Sequence, residues 1–213
     1  MLLYLTHYGS HEMQAFIERF ARTPWLHYWE QRLIGMGFYR QIKSFLKNEG
    51  VFRPGLRILE VGCGQGVLAG WFKDGRYVGI DTDFESLKFA GRRFLNHSFL
   101  SGDAVEVPIR NEAFDTVLSV GVFHHLNNLD LIRHFQEMQR VLKKGGKFLV
   151  FDSLKPDPKH RLKSWFSTFE RGAHLRTLSE LKASLNQAAV TTYRFYDTPT
   201  ALLQSYTLVI PKF

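Results

Sequence analysis

The chain has one cysteine, Cys63, in 213 residues. A single cysteine excludes an intrachain disulfide and any metal cluster built from cysteine alone, and it fits a reducing compartment. No apolar run approaches the about 18 residues that a membrane-spanning helix needs. The opening stretch, Met1 to His7, has neither a basic leading region nor a full apolar segment, so no secretory signal is expected and a cytoplasmic location is. No spacing of His, Asp and Glu matches a metal site, so no metal is expected. There is no internal repeat, low-complexity tract or appended nucleic-acid module, so no DNA partner is expected and RNA ranks behind a small molecule. What is present suits one α/β domain over residues 1–213. Hydrophobic residues make up 45% of the chain, 19 of its residues are Phe, and the net charge is +8. That charge is either a solvated surface or a field for an anionic acceptor, an anionic lipid or RNA.

The stretch from Arg57 to Asp81 organises the rest. Arg57 to Val61 is a short apolar run suited to a buried strand and contains one acid, Glu60. A turn follows with Gly62, Gly64 and Gly66 in G-x-G-x-G spacing, then a short helix over Val67 to Phe72, then a second buried strand from Tyr77 to Ile80 with Asp81 at its end. Glycines there let the backbone turn tightly and approach a ligand with no Cβ in the way. Val67 stands where a dinucleotide fingerprint puts its third Gly or Ala, which argues for a ligand with a nucleoside and no pyrophosphate. Asp81 lies where a carboxylate bridges ribose hydroxyls.

The flanking chain reads as follows. His11 to Phe20 and Trp25 to Leu46 have helical spacing, broken near Gly35 and Gly37, and form an N-terminal helical segment over residues 1–50. Its aromatic stripe either packs on the sheet or covers a ligand. Residues 51–213 make the core. A helix runs from Phe84 to Phe94 with Phe84, Leu87, Phe89, Ala90 and Phe94 as its apolar residues, and Thr82 and Asp83 either cap it or touch a ribose. Phe99 to Gly102 and Phe114 to Val120 are strands. Leu129 to Leu142 is a helix closed by the bases and glycines of Lys143 to Gly146, and Lys147 to Phe151 is a strand ending at Asp152. His160 to Arg171 is a basic helix with an aromatic face, suited to packing or to peripheral membrane contact. Thr177 to Leu185 is a last helix, and Val190 to Phe195 and Ser205 to Ile210 are closing strands. His97, His134 and His160 read as surface residues.

In order, E-V-G-C-G-Q-G, Y-V-G-I-D, S-G-D-A, F-D-T-V-L-S-V-G-V-F-H-H-L and V-L-K-K-G-G-K-F-L-V-F-D resemble the motifs of class I S-adenosylmethionine-dependent methyltransferases. The branch they are most similar to includes the ubiquinone and menaquinone biosynthesis methyltransferases. The resemblance covers Ile58 to Asp152. It implies a Rossmann-like, seven-stranded, mostly parallel sheet with helices on both faces and an antiparallel last inserted strand. It implies S-adenosylmethionine as cofactor, held by Glu60, Gly62, Cys63, Gly64, Gly66, Asp81, Thr82, Asp103, Ala104 and Val120. Asp103 would accept from the adenine amine, and the next backbone N–H would meet a ring nitrogen. His124 and His125 follow the fourth strand and are the candidates for a general base. The fourth-strand loop lacks the Asn/Asp-Pro-Pro-Tyr/Phe pattern of base-amine and glutamine methylation, and no Pro-Cys nucleophile is present. A small lipophilic acceptor is expected, with RNA, protein or a non-catalytic cofactor-binding role as alternatives.

Overall fold

The computed structural model describes residues 36–73, 76–157, 159, 174–198 and 204–213. The helices expected over His11 to Phe20 and His160 to Arg171 lie outside the described residues, as does the start of the one expected from Trp25. In chain order the elements are α1 (Met36–Asn48), β1 (Ile58–Val61), β2 (Tyr77–Asp81), α2 (Phe84–Arg93), β3 (Ser98–Ser101), β4 (Phe114–Val120), α3 (Asn128–Val141), β5 (Leu142–Ser153), α4 (Leu178–Gln187), β6 (Arg194–Asp197) and β7 (Ser205–Pro211).

The strands form one seven-stranded sheet in the order β3-β2-β1-β4-β5-β7-β6. The pairs from β3 across to β5 are parallel, and β7 lies antiparallel to both β5 and β6. The expected antiparallel insertion is therefore present. Chain order reverses between β1 and β4, and the crevice beyond their carboxyl ends is where such sheets take ligands.

Strand residues alternate between the two faces with period 2, and both faces are buried. Leu59, Val61, Phe148 and Val150 join Leu131, Phe135 and Met138 of α3 and Leu181 and Leu185 of α4 in one core. Ile58, Leu149 and Phe151 join Ile42 and Leu46 of α1 in the other. The stem of the N-terminal segment thus packs on the sheet.

Five expectations change. Val67 to Phe72 is not an α-helix: the segment turns and closes in a single 3₁₀ turn at Ala69–Trp71 before Phe72 becomes extended. Phe72, at φ −102° and ψ 126°, is extended and ends the segment after that one turn. The bases of Lys143 to Gly146 do not cap α3, because Leu142 is already extended and pairs with Phe114. Lys143 instead puts its ammonium 2.8 and 2.9 Å from the two oxygens of Asp115. The first closing strand begins at Arg194 rather than Val190. Phe84 is exposed, because the buried face of α2 falls on Ser86, Leu87 and Ala90. His134 is fully buried, and His97 is half-buried with Nε2 2.8 Å from the Phe72 carbonyl.

Candidate active site

The Gly turn after β1 is stapled to the end of β2. The amides of Gly62 and Cys63 both donate to the Ile80 carbonyl, at 2.8 and 3.0 Å. One Asp81 oxygen accepts from the Gly64 amide at 2.7 Å and the other from the Asp83 amide at 2.9 Å. Asp81 thereby fixes the turn and the start of α2 together. Gly62 has φ +76°, and a Cβ there would meet Val122 at 2.3 Å; Gly64 has φ +48°, and a Cβ there would meet nothing within 4 Å. The first glycine is needed for packing against the β4 loop, whereas the second leaves open space.

That space belongs to a cleft lined by Tyr39, Glu60, Gly62, Cys63, Gly64, Val67, Leu68 and Val120. Glu60, from β1, is buried and accepts from the Tyr77 hydroxyl of β2. Burial, opposed by that hydrogen bond and reinforced by Asp81, pushes the Glu60 carboxyl up to about 8. Burial also raises the Cys63 thiol and the Tyr39 phenol, so both stay protonated. Among the described residues, the lining contains no lysine or arginine. These described lining residues offer no base to a pyrophosphate.

Asp83 rather than Thr82 caps α2, accepting from the amides of Glu85 and Ser86, while Thr82 is exposed. Gln65 donates to Ser86 Oγ at 3.0 Å and Ser86 Oγ donates to Asp83 at 2.7 Å, a link between the Gly turn and α2 that sequence reading missed. Asp103 turns the chain after β3 by accepting from the Val105 amide at 3.1 Å. The Ala104 carbonyl lies 2.8 Å from His134 Nδ1, which must therefore carry the proton and donate. Ser119 Oγ lies 3.4 Å from the other ring nitrogen. Burial holds the His134 imidazole down at about 4, so it is a neutral tether between α3, β4 and the Asp103–Ala104 turn.

The β4 loop brings the two candidate bases to the same end of the sheet. Residues Phe123–His125 form a 3₁₀ turn. His124 Nδ1 lies 2.7 Å from Oδ1 of Asp152, which is 2% exposed. The other Asp152 oxygen accepts from the Phe123 amide at 2.7 Å. A carboxylate can only accept here, so Nδ1 of neutral His124 carries the proton and Nε2 holds the basic lone pair. His125 packs against His124 with ring centroids 4.3 Å apart, and burial, followed by the neighbouring His124, lowers its pKa. The structure thus gives the two histidines different environments and gives one of them an orienting acid. The sequence placed Asp152 at a strand end, and its partner became visible only when β4 and β5 were paired. Arg176, which binds the same loop from about 50 residues away, left no sequence signal.

A parallel sheet with a Gly turn at its switch point and an acid at the next strand end defines a nucleoside-binding, Rossmann-like α/β protein. The family described as "Methyltransferase domain" matches residues 59–150, and over this part the chain is similar to class I S-adenosylmethionine-dependent methyltransferases. A fatty-acid O-methyltransferase of Mycolicibacterium smegmatis is 35% identical over 117 residues, which is 52% of this chain and 41% of that protein. A demethylmenaquinone methyltransferase of Symbiobacterium thermophilum is 31% identical, over 49% of this chain and 45% of that protein. A probable tRNA methyltransferase 9B of Homo sapiens is 30% identical, over 52% of this chain and 24% of that protein. The chain thus spans less than half the length of each of these relatives. In structure, the geranyl diphosphate C-methyltransferase of Streptomyces coelicolor, solved with S-adenosyl-L-homocysteine, shares the fold with a TM-score of 0.60 at 13% identity, over 75% of this chain and 73% of that one.

Proposed function

We propose that the protein transfers the methyl group of S-adenosylmethionine to a small lipophilic acceptor, with His124 as general base. The observation that carries this reading is the His124–Asp152 pair, 2.7 Å apart, on the loop that leaves β4 beside the cleft. Glu60, Gly62, Cys63, Gly64, Gly66 and Val120 would surround the methionine part of the cofactor, Asp81 and Thr82 the ribose, and Asp103 and the Ala104 amide the adenine. When bound, the cofactor supplies a methyl group on a positively charged sulfur, already activated toward attack. The chain has to hold the acceptor in line and exclude water, and alignment alone is worth an effective molarity of about 10⁵–10⁸ M. Nε2 of His124 takes the proton from an acceptor hydroxyl, carboxylic acid or acidic carbon, while Asp152 keeps the ring in the tautomer that can accept it. His125, with its lowered pKa, stays neutral beside it.

The acceptor class rests on the relatives named for a fatty acid and a menaquinone precursor. A cytoplasmic location accords with these substrates and with the observation that, among the described residues, no helix is long and apolar enough to cross a membrane. Peripheral contact with a membrane fits a lipophilic acceptor. The N-terminal segment, whose Tyr39 lines the cleft, would close over the site. A second reading, RNA methylation, is favoured by the net charge of +8 and by the tRNA methyltransferase relative. Methyl-labelled cofactor supplied with a long-chain fatty acid, a hydroquinone, a phenol or bulk tRNA separates the two. Label entering the organic extract supports the first. Label confined to tRNA, with binding that falls steeply with salt, overturns it.

A further inference from the structure

We propose that Arg176 is a positioning residue for His124, acting through a strap of residues 174–176 that holds the base and its orienting acid at fixed separation. This rests on the reading of His124 as base.

Arg176 is 7% exposed. Its Nη1 donates to the Phe123 carbonyl at 2.8 Å and to the His174 carbonyl at 3.1 Å, its Nη2 to the Leu126 carbonyl at 2.5 Å, and its Nε to Asn128 Oδ1 at 2.9 Å. Three of those four acceptors lie in the 3₁₀ turn that carries His124 and His125 or within three residues after it. The strap's main chain continues the grip: the His174 amide donates to the His124 carbonyl at 3.0 Å. At its other end the strap joins the extension of β5. Leu154 and Arg176 form a parallel bridge, and the Lys155 amide donates to the Arg176 carbonyl at 2.8 Å. Asp152 lies two residues before Leu154. One short strap therefore touches the chain on both sides of the His124–Asp152 hydrogen bond.

The chemistry selects arginine. Burying a guanidinium is costly, and here its hydrogen bonds run to neutral carbonyl and amide oxygens. Only a planar fork with five N–H donors reaches four acceptors spread over two segments. A lysine ammonium has three donors at a single point. An apolar residue of similar volume would pack but would leave the Phe123 and Leu126 carbonyls without this donor. Burial lowers the Arg176 pKa and the fields of Tyr206, Asp152 and Glu180 oppose that shift, which places its charge within electrostatic reach of the acid that orients His124.

The test uses the full chain labelled with ¹⁵N-histidine and saturated with S-adenosylhomocysteine. Long-range ¹H–¹⁵N spectra report the tautomer of His124, whose signal is identified by its loss in His124→Gln. The expected wild-type spectrum shows Nδ1 protonated and Nε2 bare. Arg176→Met is expected to bind S-adenosylhomocysteine within about twofold of wild type, at about 0.4 kcal/mol, yet to show a mixed His124 tautomer that added guanidinium restores. Arg176→Lys serves if the Met variant does not fold, and is expected to restore the single tautomer only in part. A single wild-type tautomer in either folded variant overturns the proposal. So does loss of cofactor affinity and melting temperature together with no rescue by guanidinium, which marks an ordinary core residue. A wild-type spectrum with Nε2 protonated instead sinks the base reading while leaving the dependence on Arg176 measurable.

Discussion

Glu60 shows how one buried side chain ties the site to the stability of the whole. Its carboxyl is raised to about 8 by burial, against about 4.3 in an unfolded chain. Between those values the folded protein holds a proton that the unfolded chain has lost. Its stabilising contribution is therefore complete below about pH 4.5 and is lost as pH rises toward 8. Urea unfolding of the cofactor-free protein at pH 5 and pH 8 should show this decline, and Glu60→Gln should flatten it. An unchanged slope in the variant would assign the decline to another group. The residue itself was visible in the sequence as the only acid in the first strand. Its partner was not: Tyr77 sits 17 residues on, and only the parallel register of β1 and β2 brings its hydroxyl to the carboxylate.

At the scale of elements, the Gly turn does two separable jobs. Gly62→Ala combines a left-handed backbone with a Cβ 2.3 Å from Val122, so it should strain both the turn and the β4 loop. Gly64→Ala has a left-handed backbone and open space, so it should cost about 1–2 kcal/mol of stability and weaken cofactor binding by narrowing the cleft. Calorimetric titration of folded Gly64→Ala with S-adenosylmethionine checks this; wild-type affinity would place the cofactor elsewhere. Element type was largely legible where an apolar period ran unbroken, as in β4, α3 and β7. It failed where tertiary pairing overrode a local signal. The bases after α3 suggested a cap, yet Leu142 is drawn into the sheet opposite Phe114. The run after Gly66 suggested a helix, yet it lines the cleft as turns. His134 looked like a surface residue because nothing local shows that a ring with two nitrogens has two buried partners waiting for it.

The whole molecule should respond to its cofactor as one cooperative unit. A ligand held by β1, β2 and β4 touches the centre of a sheet packed on both faces, so binding opposes global unfolding. At about 100 times Kd, S-adenosylmethionine should add about 2.7 kcal/mol, a rise of about 5–10 °C in Tm for a chain of this size. NAD at equal concentration should give little, since Val67 replaces the small residue that lets a pyrophosphate approach. A larger shift with NAD would overturn the cofactor assignment. Charge also links distant parts of the chain: Glu49, after α1, accepts from Arg194 at 2.9 Å and from Lys147 at 3.2 Å, joining α1 to β6 and β5.

The sequence alone determined the parallel core, the cofactor class and the Gly turn with an acid at the next strand end. Glycines at positive φ, buried-strand runs and acids at strand ends are local requirements, and each leaves its mark within a few residues. Tertiary structure alone decided which histidine has an orienting acid, which nitrogen of His134 carries the proton, and that Arg176 reaches the loop from about 50 residues away. Those facts depend on hydrogen bonds between side chains and backbone groups far apart in the chain. No local pattern encodes them, because the partners meet only after β4, β5 and the 174–176 segment have come together.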